Sequence, residues 1–357
     1  MRILQLIQKK QLRGAEVFAC QLSHELQRKG HTVRVVALYE GDVELPFPQV
    51  EALGISRFPG SEMITMYRLS RLVQHWKPDI IQTNAGDTTR MAVWSKMLFR
   101  WKVPVVMRNA STISQYMGTG IKKRLYGFLV RKVSAIASVS EVSKRDFEEQ
   151  FPDSASKLHL LPIGINPSDF QHTDPVLIPG PYMLHVGGFT FEKNHQGLLR
   201  LIEQVRLQIP DIQLLCAGDG PLFSEVQESI KRKQLEPNVK LLGRRTDVPG
   251  LLKGAKLLVL PSIIEGLPGV LLEAMYARVP VIAYNTGGIA QIVRPETGWL
   301  IEKGDEDAFC NAIVQLWNAT PEELQHQIDQ AYNMVAEQYT NHQIADRFEA
   351  LYQSLIA

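Results

Sequence analysis

At 357 residues, 45% hydrophobic and 21% charged, the chain has the composition of a globular protein and the length for two domains of about 150 to 200 residues each. Residues 1–170 hold 24 Lys and Arg against 15 Asp and Glu, whereas the remainder is acidic, and a basic part favours anionic substrates or surfaces. No apolar stretch approaches the ~20 residues that span a bilayer, and the opening MRILQLIQKKQLRG becomes charged too soon for a signal peptide, which predicts a cytoplasmic protein.

The first part of the chain alternates short apolar strands with amphipathic helical stretches, which is typical of βα units on a parallel sheet. RILQLI (2–7) predicts a strand, AEVFACQLSHELQRKG (15–30) a helix ending near a glycine, and HTVRVVAL (31–38) a second strand. Further strands are predicted at 79–84, 104–109 and 135–140. Together these elements predict a doubly wound α/β domain over residues 1–163.

The segment 164–181 is rich in Pro, Gly and Asn and predicts a linker. After it the pattern restarts with a helix at about 195–208 and with strands at 182–188, 212–221, 238–245, 256–262 and 280–288. A second doubly wound domain is therefore predicted over 182–340, with a cleft between the domains. The chain ends in a helical, acidic stretch, and its helix at about 341–357 is a candidate to pack back on the first domain.

The stretch EGLPGVLLE (265–273) joins a predicted strand to a predicted helix, which is where ligands sit in open α/β sheets. Pro268 suits the first turn of that helix. The backbone N–H groups expected to line a phosphate cradle are those of Gly266, Leu267, Gly269 and Val270. Carboxylates cannot stabilise a phosphate, so Glu265 and Glu273 are interpreted as acceptors for hydroxyl groups such as those of sugars.

This stretch, followed by AMYARVPVIAYNTGGIAQIV, resembles the E-x7-E nucleotide-binding signature of retaining GT-B glycosyltransferases of family 4. Other matches stand in order: RGAE (13–16), VGGFTFEKN (186–194), GDGP (218–221), GRRTDVPGLL (243–252) and TGGIAQIVRPETGWLI (286–301). The resemblance covers nearly the whole chain. It implies a GT-B fold, with two Rossmann-like domains facing across a cleft, the acceptor in the first and the nucleotide sugar in the second.

The resemblance also implies roles for single residues. Glu265 would contact the donor sugar, Glu273 the ribose, and Lys193 the donor diphosphate, so Glu265 and Lys193 are the catalytic candidates. Gly14 would let the first loop approach the diphosphate, and the main chain near Arg244 would face the nucleobase. The further donor-binding candidates are Gly187, Gly188, Asn194, Gly218, Gly266, Leu267, Pro268, Gly269 and Val270.

Two features depart from the family pattern. Gly188 stands where many relatives have an arginine of the diphosphate clamp. The candidates to supply that charge are Arg244, Arg245 and Arg108. Many relatives also carry a histidine on the amino-terminal wall of the cleft, whereas the strands here end in three other residues. These acceptor-side candidates are Asn84, Arg108 and Asn109.

The resemblance implies a retaining, metal-independent hexosyltransferase that needs no cofactor and uses a nucleotide sugar, with a UDP-sugar favoured. The acceptor would be a glycan or lipid-linked molecule in bacterial-type synthesis of lipopolysaccharide or another cell-envelope polysaccharide. The basic and apolar stretch IKKRLYGFLVRKV (121–133) is either a core-packed helix or a segment that meets anionic lipid. The second interpretation would make the protein peripheral at the inner face of the cell membrane.

Other classes of protein fit the sequence less well. No G-x-G-x-x-G follows the first strand and no P-loop occurs, which argues against a dehydrogenase and a nucleoside-triphosphate hydrolase. The basic residues form no recognised nucleic-acid module, so nucleic acid is not an expected partner. Two alternatives stay open: a non-catalytic nucleotide-sugar-binding partner of a glycan synthase, and a GT-B-fold nucleotide-sugar epimerase.

Cysteines and histidines predict no metal site. The three cysteines are far apart in apolar surroundings, and we expect buried, unreactive thiols at Cys20, Cys216 and Cys310. No H-E-x-x-H or comparable cluster occurs. The histidines interpreted as structural or surface groups are His31, His185 and His195.

Overall fold

The computed structural model of the chain describes residues 1–41, 43–54, 61–118 and 120–356. The chain forms two compact units, of which the first comprises Met1–Gly164 and Asn341–Ala357 and the second Ile165–Thr340. From Ile165 onward, the segment predicted as a linker belongs to the second unit. For example, the N–H of Val176 donates to the carbonyl oxygen of Gly250 over 3.0 Å.

The first unit is a seven-stranded parallel sheet with helices on both faces. Its strands are β1 Arg2–Lys9, β2 Thr32–Tyr39, β3 Glu51–Gly54, β4 Ile80–Thr83, β5 Val105–Asn109, β6 Ala135–Ser138 and β7 Leu158–Leu160. Its helices are α1 Gly14–Arg28, α2 Ser61–Trp76, α3 Gly86–Phe99, α4 Ile121–Lys132, α5 Glu141–Gln150 and the last helix of the chain, α13 Asn341–Ile356. The strand order β3-β2-β1-β4-β5-β6-β7 reverses direction between β1 and β4, and we call this position the switch point of the unit.

The second unit is a six-stranded parallel sheet. Its strands are β8 Met183–Val186, β9 Leu214–Ala217, β10 Val239–Gly243, β11 Leu257–Leu260, β12 Val281–Asn285 and β13 Trp299–Glu302. Its helices are α6 Ser168–Gln171, α7 His195–Val205, α8 Phe223–Arg232, α9 Val248–Gly254, α10 Gly269–Tyr276, α11 Glu306–Asn318 and α12 Pro321–Gln338. The strand order β10-β9-β8-β11-β12-β13 places the switch point between β8 and β11.

Helices on both faces explain the sequences of the central strands. All residues of β4, β6, β9 and β11 are buried, and parallel strands covered on both sides read as continuous apolar runs. The predicted α/β class, with two doubly wound parallel sheets, is confirmed. The three cysteines are free and buried, as predicted. Within the described ranges, no helix combines the length and apolarity needed to cross a membrane.

The last helix packs on the first unit through α1. The rings of Phe18 and Phe348 lie 5.8 Å apart, and Tyr352 is fully buried with its hydroxyl group donating to Gln82 on β4. At the rim of this contact, His31 Nε2 lies 2.8 Å from Glu349 Oε1. The helix is therefore part of the core of the first unit.

Candidate functional site

The switch point of the second unit brings together the two predicted catalytic residues. Lys193 follows β8 and Glu265 follows β11, and the Lys193 Nζ donates to Glu265 Oε1 over 2.5 Å. The Glu265 side chain is only 9% exposed and that of Lys193 21%, so the ion pair is partly desolvated. Because the carboxyl ends of neighbouring parallel strands meet at one edge, two loops far apart in sequence meet here.

Asn194 fixes the Lys193 loop to the rest of the site. Its backbone is in the left-handed conformation, with φ of 54°, and its side chain accepts from the N–H of Gly197 at the start of α7. The same side chain donates to the carbonyl oxygen of Pro261 over 3.1 Å. A backbone hydrogen bond of 2.8 Å from Ile263 to Glu192 joins the two loops a second time. Lys193 and Glu265 are thus held on tethered loops.

Two close backbone approaches require glycine around this ion pair. A Cβ atom on Gly218, whose φ is 147°, would lie 1.9 Å from the carbonyl oxygen of Gly187. A Cβ atom on Gly287, whose φ is 56°, would lie 1.9 Å from the carbonyl oxygen of Glu265. The glycines of the GDGP and TGG motifs therefore let neighbouring loops pack on the loops that carry Lys193 and Glu265.

The predicted phosphate cradle lies at the start of α10. That helix begins at Gly269, so Pro268, with φ of −76° and ψ of 117°, precedes the first turn and does not belong to it as predicted. The side chain of Leu267 is buried, and the carbonyl oxygen of Gly266 accepts from the N–H of Gly288 over 2.6 Å. The first N–H groups of a helix have no acceptor within it, so those of Gly269 and Val270 are placed to bind an anion.

Glu273 lies one turn into α10 and is half-buried. Burial raises the pKa of its carboxyl group to about 7, and the negative charge of Asp169 on α6 adds to this shift. Burial also raises the pKa of Asp169, although Asn166 donates a hydrogen bond to it over 2.7 Å. Among the described residues no hydrogen bond joins the carboxyl group of Glu273 to a protein donor, so its side-chain oxygens are available to a ligand.

Two of the arginines considered as replacements for the clamp arginine that is missing at Gly188 contact different carboxylates. Arg245 Nε donates to Asp247 over 2.8 Å, whereas the Arg244 Nη2 lies 3.8 Å from an Asp219 carboxylate oxygen in the GDGP loop. Gly188 itself is not crowded, because a Cβ atom there would meet nothing closer than 3.7 Å.

Of the histidines interpreted as structural or surface groups, His185 and His195 are structural and form a buried pair behind the Lys193 loop. The rings of His185 and His195 meet edge to face at 4.9 Å, and Phe189 stacks on His195 at 3.9 Å. Burial lowers the pKa of His185 to about 4 and that of His195 to about 3. Both are therefore neutral packing groups at neutral pH, and their burial follows from the fold, since no motif marks them.

In the first unit, two of the three acceptor-side candidates are occupied by internal hydrogen bonds. Asn84 donates to Gln5 over 2.9 Å and accepts from Gln82 over 3.2 Å. Asn109 donates to the carbonyl oxygen of Ser143 over 3.0 Å. Both amides therefore hold the strand ends together.

Arg108 is the third candidate, and it is not paired in this way. The side chain is 6% exposed, and its guanidinium carbon lies 4.1 Å from the centre of the Phe18 ring. Its Nε and Nη1 atoms are buried without a hydrogen-bond partner. Burial lowers the pKa of Arg108 to about 10, and the charge of Glu16 opposes that shift. Phe18 and Glu16, the two residues next to Arg108, both belong to α1, which begins at Gly14.

The described ranges contain no group of three or more His, Cys, Asp or Glu side chains placed to hold a metal ion.

Two doubly wound parallel sheets in one chain are the architecture of a GT-B glycosyltransferase fold. Residues 12–169 match the profile of Glycosyltransferase Family 4, and residues 176–334 match that of Glycosyl transferases group 1. The chain belongs to the group 1 glycosyltransferases.

Similar proteins agree with this assignment. The N-acetyl-alpha-D-glucosaminyl L-malate synthase of Bacillus anthracis is 31% identical over 49% of this chain and 45% of its own length. The amylovoran biosynthesis glycosyltransferase AmsD of Erwinia amylovora is 24% identical over 85% of this chain and 86% of its own. A crystal structure of Anabaena HepE in complex with UDP-glucose superposes with a TM-score of 0.83 at 19% identity, covering 99% of this chain and 100% of that one. The chain spans between 28% and 61% of the length of four of the curated relatives it matches.

Proposed function

We propose that this protein is a retaining glycosyltransferase that moves a hexose from a UDP-sugar to a glycan or lipid-linked acceptor in bacterial-type synthesis of a cell-envelope polysaccharide. The observation that carries the proposal is the partly desolvated pair of Lys193 and Glu265 at the switch point, beside the first turn of α10. This arrangement combines a cation, free backbone donors and carboxylate acceptors in one place. Those are the groups that a sugar linked to a diphosphate requires.

The donor would bind with its diphosphate at the start of α10. The N–H groups of Gly269 and Val270 and the ammonium group of Lys193 would contact the phosphate oxygens. Glu273 would accept hydrogen bonds from the ribose and Glu265 from the sugar hydroxyls. The hydrogen bond to Glu265 would hold the Lys193 ammonium group in position for the diphosphate.

In the reaction, the bond between the anomeric carbon and the diphosphate oxygen breaks while the acceptor hydroxyl forms its bond on the same face. The proton of that hydroxyl passes to the departing diphosphate oxygen, so no side chain acts as nucleophile or base. Lys193 stabilises the charge that develops on the leaving group, a contribution that preorganised donors typically make. Because Lys193 and the helix supply positive charge, we propose that the reaction is independent of metal.

The choice of donor and acceptor class draws on the similar proteins. The HepE crystal structure contains UDP-glucose, and AmsD is a glycosyltransferase of amylovoran biosynthesis. A UDP-sugar donor and an envelope polysaccharide are therefore the substrates we propose for this chain.

The first unit offers a surface suited to an acceptor held at a membrane. Helices α2, α3 and α4 form one layer, joined by ring contacts of Tyr67 with Phe99 at 5.9 Å and of Trp94 with Phe128 at 5.8 Å. The large apolar side chains that this layer exposes, which we call the membrane face, are Met63, Ile64, Tyr67, Met97, Leu98, Ile121 and Leu125. Residues 61–132 hold 13 Lys and Arg against 3 Asp and Glu.

Apolar side chains amid basic ones are the composition that binds anionic bilayers, where each basic residue contributes about 1 kcal/mol. We therefore propose a cytoplasmic protein that associates peripherally with the inner face of the cell membrane.

The proposal is tested by calorimetric titration of UDP, GDP and their sugar conjugates into the wild type and into Glu273→Gln. We expect UDP to bind more tightly than GDP, with affinity reduced about tenfold in the variant because ribose hydroxyls lose a charged acceptor. The UDP-sugar that binds would then be supplied with lipid-linked acceptors, and NMR would establish the configuration of the product. Equal affinity of the two proteins for every nucleotide would overturn the assignment of the site.

A further inference from the structure

The loop that follows β8 is the middle one of three neighbouring loops at the carboxyl edge of the second sheet. In the strand order, β8 lies between β9 and β11, so its loop stands between the GDGP loop and the loop that carries Glu265. Both neighbours are bonded to it. The N–H of Phe189 donates to the carbonyl oxygen of Asp219 over 3.1 Å, and the N–H of Ile263 donates to that of Glu192 over 2.8 Å. Ligands of open α/β sheets bind at this edge, so side chains that the middle loop exposes lie where a substrate would bind.

The two phenylalanines of the VGGFTFEKN motif have opposite environments. Phe189 is fully buried, whereas Phe191 is 70% exposed. The backbone beneath the exposed ring is fixed, because Phe191–Lys193 form a single turn of 3₁₀ helix. The N–H of Asn194 closes that turn by donating to the carbonyl oxygen of Phe191 over 3.2 Å. The loop therefore holds an aromatic ring in solvent on an ordered backbone.

The position of Phe191 distinguishes it from other exposed apolar side chains. A single exposed apolar residue is common on protein surfaces, so exposure alone indicates no function. The second unit, which the structure describes throughout, exposes three large apolar side chains, those of Leu177, Phe191 and Leu207. Leu207 follows the end of α7 at the amino edge of the sheet, and Leu177 lies between α6 and β8. Of the three, only Phe191 belongs to a loop that leaves the carboxyl end of a strand.

Phe191 also lies close to the ion pair of the site. It stands two residues before Lys193 in the same turn, and a 3₁₀ helix rises about 2 Å per residue, so the two residues are about 4 Å apart along its axis. The Lys193 ammonium group donates to Glu265 over 2.5 Å. Under the proposed function Lys193 contacts the diphosphate, so the sugars on the two sides of the reacting carbon come within reach of Phe191.

We propose that Phe191 is a specificity-determining residue whose ring stacks on the apolar face of a pyranose, that of the donor or that of the acceptor. One face of a hexose ring presents C–H groups, and its contact with an aromatic ring removes apolar surface of both from water. The hydroxyl groups at the edge of the sugar stay available to Glu265. The assignment of this sugar to a substrate rests on the proposed function.

The first arm of the test is calorimetric titration of the full chain with UDP and with UDP-glucose, UDP-galactose and UDP-N-acetylglucosamine. The ratio of the Kd of UDP to that of the conjugate isolates the contribution of the sugar. If the ring stacks on the donor hexose, this ratio should fall at least about fivefold in Phe191→Ala and be retained in Phe191→Trp. Leu207→Ala is the control, since it removes an exposed apolar side chain from the opposite edge and should leave the ratio unchanged.

The second arm addresses the acceptor. Saturation-transfer NMR with the methyl glycosides of the same three sugars, with and without saturating UDP, detects a pyranose bound beside the nucleotide. If the ring stacks on the acceptor, the UDP-sugar ratio should be unchanged in Phe191→Ala. The transfer to the ring protons of the glycoside should then fall at least about fivefold in that variant and persist in Phe191→Trp and Leu207→Ala.

Two results overturn the proposal. In the first, Phe191→Ala changes neither the UDP-sugar ratio nor the glycoside signal, or the wild type gives no such signal and no such ratio. In the second, UDP alone loses as much affinity as its sugar conjugates, which would assign Phe191 to the nucleotide or to the shape of the Lys193 loop. The proposed function fails on a different readout, the effect of Glu273→Gln on UDP binding, and in that case the glycoside titration without UDP still decides the role of Phe191.

Discussion

Gly287 lies so close to Glu265 that a methyl group on the former would stand 1.9 Å from the carbonyl oxygen of the latter. Gly287→Ala should therefore displace the Glu265 loop, in addition to the roughly 1 kcal/mol cost of a left-handed alanine. We expect a loss of more than about 2 kcal/mol in the free energy of unfolding, measured by urea denaturation, with weaker UDP binding. Gly304→Ala is the control, since Gly304 has φ of 92° with nothing within 4 Å. Equal losses in the two variants would contradict the steric argument.

Lys193→Met should lower kcat by about 100- to 1,000-fold, because one preorganised donor to the leaving group is removed. The free energy of unfolding of Lys193→Met should fall by only about 1–3 kcal/mol, because Glu265 loses its partner but is still 9% exposed to solvent. The control is Lys233→Met, which breaks the ion pair of Lys233 with Glu203 on α7. A Lys193→Met enzyme with wild-type kcat would exclude Lys193 from catalysis.

Glu273 should make the stability of the protein depend on pH. Its pKa is about 7 in the folded protein against an ordinary value of 4.5, so the folded state binds more protons between these pH values. Protonation of Glu273 therefore makes its full favourable contribution to the free energy of unfolding below about pH 4.5, and this contribution is lost as the pH rises through 7. Glu273→Gln should be more stable than the wild type at pH 8, by about 1–3 kcal/mol, and similar at pH 4.5. Urea denaturation across this range checks the difference, with Glu228→Gln, at an exposed position, as the control for removing one carboxyl group.

Gly188→Arg should be tolerated, because a Cβ atom at this position meets only ordinary contacts and the backbone is not left-handed. The added guanidinium should strengthen UDP binding by up to about tenfold through a charge-assisted hydrogen bond to the diphosphate. Gly187→Ala is the contrasting change, as its Cβ would lie 3.1 Å from the Lys193 side chain and should weaken UDP binding. A Gly188→Arg protein that folds but binds UDP no better would show that the diphosphate is not within reach of this position.

The membrane face should bind anionic vesicles. Cosedimentation should detect binding to vesicles of phosphatidylcholine with phosphatidylglycerol, and much less to phosphatidylcholine alone. Changing Lys122 and Arg124 together to Glu should reduce partitioning at least about tenfold, because two favourable contributions of about 1 kcal/mol become unfavourable. The same exchange at Lys231 and Lys303 in the second unit should have little effect. If the variant with Glu at positions 122 and 124 bound anionic vesicles as well as the wild type, the membrane contact would have to lie elsewhere on the protein.

The alternation of strands and helices was readable from the sequence because parallel strands are apolar along their whole length. Strand β3, Glu51–Gly54, was not predicted, since four residues with a glutamate and a glycine carry too little apolar pattern. The start of α10 was predicted one residue early, as proline suits both the first turn and the position before it.

Site residues were predictable where a motif fixed them and not where packing decided. The ordered motifs pointed to Lys193 and Glu265, and the structure brings the two side chains together. The occupied amides of Asn84 and Asn109 depend on partners distant in sequence, such as Gln5 for Asn84. The local sequence pattern predicts neither which side chains pair across a sheet nor that Nε and Nη1 of Arg108 lack a hydrogen-bond partner, because both depend on the final register of the strands.

Because α13 completes the core of the first unit, the second unit is a single uninterrupted insertion within the first. Its two ends adjoin, since Ile165 and Thr340 pair in a short parallel bridge. The unit that we propose to bind the donor is therefore bounded by two neighbouring points of the chain. We expect that residues 165–340 can be exchanged between relatives with two cuts at neighbouring points, whereas a truncation before Asn341 would remove part of the core of the first unit.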